Sequence, residues 1–156
     1  MTERIDAAAL HDFSVSLCRA AGLSADDAAL LSDSILFAEC RGVTSHGLLR
    51  LPQYVARLRS GATASNVPMP FTMESGGTAR LDAQNGLGQL AGRKASDKAE
   101  ELAAKYGVSF VAVANSNHFG TGAWYAIPAA RRGFFAFNIS SAASAMAPHG
   151  AAEPLL

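Results

Sequence analysis

The sequence predicts an α+β fold, with a helical N-terminal segment followed by a mixed region of strands and helices. Three observations carry that expectation. Before Gly61 the apolar residues recur at helical spacing. The stretch Gly61 to Pro70, rich in Gly, Ser, Asn and Pro, then marks a change of character. Beyond it, short apolar runs bounded by glycine alternate with helical ones. The expected division is therefore 1–65 and 66–156.

Ile5 to Ala21 places Ala9, Leu10, Phe13, Leu17, Ala20 and Ala21 on a helical stripe that Gly22 ends. Ser24-Ala25-Asp26-Asp27 resembles a capping box with Asp in the role of Glu. It starts a second helix through Ala28, Leu31, Ile35 and Ala38 that stops near Arg41-Gly42. A third helix runs from Pro52 to Arg59 with Pro52 in its first turn; started instead at Ser45, it would carry Pro52 inside and kink. Phe71 to Glu74 and Thr78 to Asp82 flank Ser75-Gly76-Gly77 and read as a hairpin. Gly88 to Tyr106 is an alanine-rich helix. Val108 to Val113 and Phe134 to Ile139 read as buried strands around a helix from Gly122 to Arg132 closed by Gly133. Ala147 to Leu156 reads as a loop entering a new element, so the chain is expected to be a fragment of a longer protein.

Apolar residues make up 49% of the chain and charged ones 17%, enough for a real core. The net charge is zero with Lys and Arg scattered, which argues against a nucleic-acid or membrane-surface protein. No apolar run approaches a membrane span, and Met1 to Asp6 lacks the pattern of a signal peptide. Cys18 and Cys40 read as buried free thiols in a reducing cytoplasm. The four histidines lack metal-site spacing, so no metal is expected. His11 reads as solvated, His149 as a weak pocket candidate, and Trp124 and Tyr125 as core or interface residues.

Two segments carry chemistry. Thr44-Ser45-His46-Gly47-Leu48-Leu49-Arg50 sets a histidine among small polar residues and adds an arginine four residues on. An imidazole titrates near about pH 6.5, so it gives or takes a proton under physiological conditions. Reduction of a 2-oxo acid needs such a donor for the carbonyl oxygen and a fixed cation for the carboxylate. Ser45 is placed to bond the imidazole, Gly47 to let a ligand approach, and a helix start here to point N–H groups at a carboxylate. The simpler alternative is that Ser45 caps a helix and His46 and Arg50 lie on the surface. The second segment, Asn115-Ser116-Asn117-His118-Phe119-Gly120-Thr121-Gly122, joins a strand to a helix, a common ligand position. Its alternative is a polar turn capped by Thr121.

Gly86-Leu87-Gly88-Gln89-Leu90-Ala91 matches a dinucleotide-binding fingerprint. The next strand ends at Asn115 rather than at an acid, and the preceding segments read as a hairpin. These glycines are therefore expected to make a tight helix entry, with Ala91 and Gly92 allowing close packing, rather than a Rossmann site.

Together, Ala38 to Gly47, Arg50-Leu51-Pro52, Asn115 to Gly120 and Ala147 to Gly150 resemble the malate/L-lactate dehydrogenase family that is distinct from classical lactate dehydrogenase. The resemblance covers essentially the whole chain. It implies an NAD- or NADP-dependent oxidoreductase acting on 2-hydroxy or 2-oxo acids, a non-Rossmann cofactor domain with a largely antiparallel sheet, and a homodimer. By position, His46 resembles the proton donor, Ser45 its relay partner and Arg50 the carboxylate clamp. His118, Phe119, Gly120, Thr121 and Gly122 resemble the segment contacting the nicotinamide. The acid–base role is divided between His46 and His118, with His46 favoured because Ser45 and Arg50 stand beside it. Region 1–65 would then serve substrate and dimer, and region 66–156 would be an incomplete cofactor-binding part. Members of that family are much longer, and the aspartate completing the relay is expected outside this chain. The rival expectation is a non-catalytic module that binds a nucleotide or pairs with another subunit.

Overall fold

Helix α1 spans Ala7–Ala20 and begins where the Asp6 carboxylate accepts the Ala9 N–H at 2.9 Å. It ends before Gly22, whose φ of +102° suits glycine. The computed structural model that defines these elements describes residues 4–141 and 147–153. Met1 to Glu3 and the end of the expected loop, Pro154 to Leu156, lie outside the described residues. Helix α2, Ala25–Glu39, starts at Ser24, whose hydroxyl accepts the Asp27 N–H at 3.1 Å. Only half of the expected capping box forms, because the Ser24 N–H goes to Asn66 Oδ1 at 3.0 Å. That bond ties the start of α2 to the boundary segment.

After α2 come two single 3₁₀ turns, Thr44–His46 and Leu48–Arg50. Helix α3 follows at Leu51–Arg59 with Pro52 in its first turn, which decides between the two starts. A first core gathers Cys18, Leu31, Ile35, Leu51, Tyr54, Val55 and Leu58, and Leu87 reaches into it from beyond the boundary.

Strands β1 (Phe71–Ser75) and β2 (Thr78–Asp82) form the expected antiparallel hairpin, closed by the pair Ser75 and Thr78. Helix α4, Gly88–Tyr106, returns the chain to β3, Phe110–Ala114, which pairs parallel to β2 from Thr78 with Phe110 to Asp82 with Ala114. The sheet order is β1-β2-β3, hence a mixed sheet in an α+β chain. Helix α4 covers one sheet face through a second core of Met69, Leu81, Ala83, Ala91 and Ala95, and Leu90 touches both cores. Helix α5 spans Ala123–Arg131.

Several expectations need correction. Phe134 to Ile139 is not a strand: it joins no sheet among the described residues, and Phe135 is 94% exposed. β3 is a strand but not a buried one, with Phe110 64% exposed. It lies at the sheet edge, and α4 shields only one face. Cys40 is exposed, although Cys18 is buried. His11 is not merely solvated, since its Nε2 meets Asp33 at 3.0 Å. β2-α4-β3 is a parallel crossover unit, so the hairpin argument against the fingerprint fails. The glycines nevertheless face protein. A Cβ on Gly86 would meet Met69 and Val67, one on Gly88 the carbonyl oxygens of Asn117 and His118, and one on Gly92 the Tyr125 ring. The tight helix entry is as expected, and its floor is occupied by backbone. No helix among the described residues is long and apolar enough to cross a membrane.

Candidate active site

The 3₁₀ turns put His46 and Arg50 beside each other without a continuous helix. Ser45 Oγ lies 3.0 Å from His46 Nδ1, and Arg50 Nε donates to the Ser45 carbonyl at 2.7 Å. Arg50 Nη1 donates to Gln53 Oε1 at 3.0 Å. No acidic side chain pairs with Arg50 among the described residues, so its charge is left for an anion. The turn is held from behind by Glu39, whose carboxylate accepts the Leu48 N–H at 2.9 Å. Two expectations change here. The N–H group thought available to a carboxylate is taken by Glu39, and the close approach that Gly47 permits is that of Glu39, not of a ligand.

The second segment does join strand to helix, running from the end of β3 to the start of α5. Its left-handed Asn115 and Gly120 (φ +53° and +79°) fold it back over α3. This places the His118 ring 5.3 Å from the His46 ring at an interplanar angle of 30°. The two candidate histidines are thus one site. Tyr54 Oη lies 2.7 Å from His118 Nδ1, and Gln89 Nε2 donates to Tyr54 Oη at 2.6 Å. Burial pushes the Tyr54 phenol up to about 12. His118 is exposed on one side, yet partial burial holds its pKa below the ordinary value, helped by the charges of Arg50 and His46.

A cavity of about 220 Å³ opens beside these groups, lined in part by Gln53, Tyr54, Arg57, Asn117 and His118. Asn117 is clamped: it accepts from Arg57 Nη2 at 2.8 Å and donates to the carbonyls of Asn85 and Gly86, both at 2.9 Å. Helix α3, the entry to α4 and the His118 loop are therefore tied together through one side chain. Phe119 stacks on Tyr125 with centroids 5.4 Å apart, and Gly120 is buried against Ser34. Thr121 does not cap α5 with its side chain; Gly122 holds the cap position. His149 sits exposed in a turn away from the cavity lining. Among the described residues no three His, Cys, Asp or Glu side chains gather as a metal site.

The family model described as malate/L-lactate dehydrogenase matches residues 5–156. The chain belongs to the malate/L-lactate dehydrogenase family. It is 35% identical to a malate dehydrogenase of Pyrococcus abyssi over 98% of this chain and 42% of that protein. It is 34% identical to a (2R)-3-sulfolactate dehydrogenase (NADP(+)) of Chromohalobacter salexigens over 99% of this chain and 46% of that one. Among solved structures, the malate dehydrogenase of Pyrococcus horikoshii OT3 superposes with a TM-score of 0.81 at 33% identity, covering 84% of this chain and 38% of that chain. The chain thus spans less than half the length of the relatives it matches.

In this malate/L-lactate dehydrogenase segment, sequence reasoning singled out the two histidines and the arginine that the fold brings together, but not Tyr54, Gln89 and Arg57 beside them. A signal existed. Arg50, Tyr54 and Arg57 stand at i, i+4 and i+7, so Tyr54 and Arg57 share one face of α3 in line with Arg50 at its N-cap once the helix is recognised. Gln89 gives no such signal, because a buried glutamine at a helix entry reads like any other polar residue there.

Proposed function

We propose that the protein containing this chain is an NAD- or NADP-dependent oxidoreductase that interconverts a small 2-hydroxy acid and its 2-oxo acid, of malate or lactate type. The adjacency of His46, Arg50 and His118 is the observation that supports it most. The names of the matched relatives, malate and sulfolactate dehydrogenases, support the same substrate class. The same reading makes it a cytoplasmic homodimer.

A nicotinamide cofactor supplies or accepts the hydride when bound. The chain's own residues fit such a group at one point. Trp124, in the first turn of α5 just after Gly120-Thr121-Gly122, has a buried Nε1 with no acceptor among the described residues. That is the kind of donor a carboxamide oxygen satisfies. Phe119 to Gly122, with His118, is the segment that would hold the ring.

Arg50 binds the substrate carboxylate, and its guanidinium is pre-oriented by the Ser45 carbonyl and Gln53. His46, steadied through Nδ1 by Ser45, gives its Nε2 proton to the alkoxide oxygen as the 2-oxo acid is reduced. In the reverse direction it takes that proton back. The rival reading, a binding or pairing module without chemistry, rests on the exposed Phe110, Phe135 and Phe137.

His46→Ala separates the two. Turnover should fall by about a hundredfold or more while cofactor affinity stays within about twofold. Unchanged turnover would remove His46 from the chemistry.

A further inference from the structure

Two histidine rings side by side in one site raise a question of roles, and the hydrogen bonds behind His118 bear on it. Gln89 and Tyr54 are both buried, with 1% and 5% of their surface accessible. The Gln89 amide donates to the Tyr54 oxygen at 2.6 Å, which leaves the Tyr54 O–H to donate to His118 Nδ1 at 2.7 Å. A second donor meets the same nitrogen: the backbone N–H of Gly120, at 3.4 Å. A backbone N–H has no other polarity. At this length the bond is weak, but it agrees with Nδ1 as the acceptor and leaves the short Tyr54 bond to hold it so.

We infer that His118 is held as the neutral Nε2–H tautomer by a Gln89–Tyr54 chain, and acts on the substrate oxygen as a fixed hydrogen-bond donor while His46 moves the proton. Tyr54 and Gln89 are positioning residues. They act through His118, and this role rests on the oxidoreductase reading above. Nothing is transferred along the chain. Protonating Tyr54's partner through the chain would leave a buried phenolate, which its surroundings disfavour. A neutral donor of fixed direction polarises the carbonyl of a 2-oxo acid before hydride arrives, without competing with His46 for the proton. The division also explains the adjacency. Two imidazoles 5.3 Å apart do not both carry charge easily, and the one tied to Tyr54 is the one kept neutral.

Nitrogen NMR on the histidine-labelled full-length protein, without substrate or cofactor, reads the tautomer directly. The His118 signals are assigned by their disappearance in His118→Asn. At neutral pH the expected result is a lone-pair-type Nδ1 and a protonated-type Nε2. Tyr54→Phe and Gln89→Met should each shift the His118 nitrogens toward a tautomer mixture. In turnover, Tyr54→Phe should lower kcat about tenfold and leave KM for the acid within about twofold. A protonated-type Nδ1 in the wild type would overturn the inference, since the Gln89 amide would then face the other way. Unmoved His118 signals in a folded Tyr54→Phe variant would overturn it as well. The spectrum is independent of catalysis. A wild type with the expected tautomer that oxidises neither NADH nor NADPH would support the hydrogen-bond chain and remove the oxidoreductase reading instead.

Discussion

Gly88→Ala is the substitution for which the structure makes the sharpest prediction. Gly88 is the first residue of α4. A Cβ there would lie 2.2 Å from the Asn117 carbonyl oxygen and 2.5 Å from that of His118. Both are backbone atoms, so neither can rotate aside. Restoring contact beyond 3.0 Å requires the loop to retreat by roughly 1 Å. That movement would strain Asn117, which is bonded to Arg57, Asn85 and Gly86. Overpacking of this kind costs about 1–3 kcal/mol. Helix propensity works the other way, favouring Ala over Gly by at most about 1 kcal/mol, and less at the first turn. The steric term wins. Urea unfolding of the ligand-free variant should show a loss of about 1–2 kcal/mol. Displacing His118 by roughly 1 Å should also cut kcat up to a hundredfold. A glycine kept for a phosphate behaves oppositely: the ligand-free variant would be as stable as wild type or more so, and only cofactor affinity would fall. That result would refute the packing argument and revive the dinucleotide fingerprint.

Two further outcomes follow from the site. Arg50→Ala should raise KM for carboxylate substrates by about 10- to 100-fold, the worth of a charge-assisted pair, with cofactor KM nearly unchanged; steady-state kinetics against both substrates checks this. The pH dependence has a definite sign. His118 has a folded pKa below its unfolded value near 6.5, so the unfolded chain takes up the proton first. Stability should therefore fall as pH drops through about 6.5 and level off below the folded pKa. Above neutrality this group should have no effect. Urea midpoints across that range, compared with His118→Asn, isolate it; a wild type that gains stability on acidification through this window relative to the variant would reverse the assignment.

The helices were legible because their stabilisation is periodic: Leu31 and Ile35 recur on one face of α2, and glycines stop α1 and α4 where φ turns positive. Pro52 left two starts open, since a proline suits a first turn and also kinks an interior one; the 3₁₀ turns before it settle the matter. The strands were harder. Phe134 to Ile139 has strand composition, but a strand needs a hydrogen-bonded neighbour, and composition does not supply one. The same holds for β3, whose burial depends on what covers its second face rather than on Val111 and Val113 themselves. Within the site, His46, Arg50 and His118 stood out because polar residues between apolar elements are conspicuous. Their contact was not legible, because it depends on left-handed turns at Asn115 and Gly120. Gly47 was misread for a related reason: a glycine announces a close approach without saying what approaches, and here it is Glu39. Tyr54 and Gln89 looked like core, which by burial they are. Only their hydrogen-bond partners distinguish them.

The measurement that bears most directly on the proposed reaction is the loss of NADH and NADPH absorbance by the full-length protein. Pyruvate, oxaloacetate, 2-oxoglutarate and a cyclic imino acid would be offered in parallel. Rapid oxidation of one cofactor with one acid, slowed about a hundredfold or more by His46→Ala and restored at high acid concentration in Arg50→Ala, is the expected result. A folded protein that binds NADH or NADPH but oxidises neither with any of these acids would contradict it, and would point to a binding or pairing role instead.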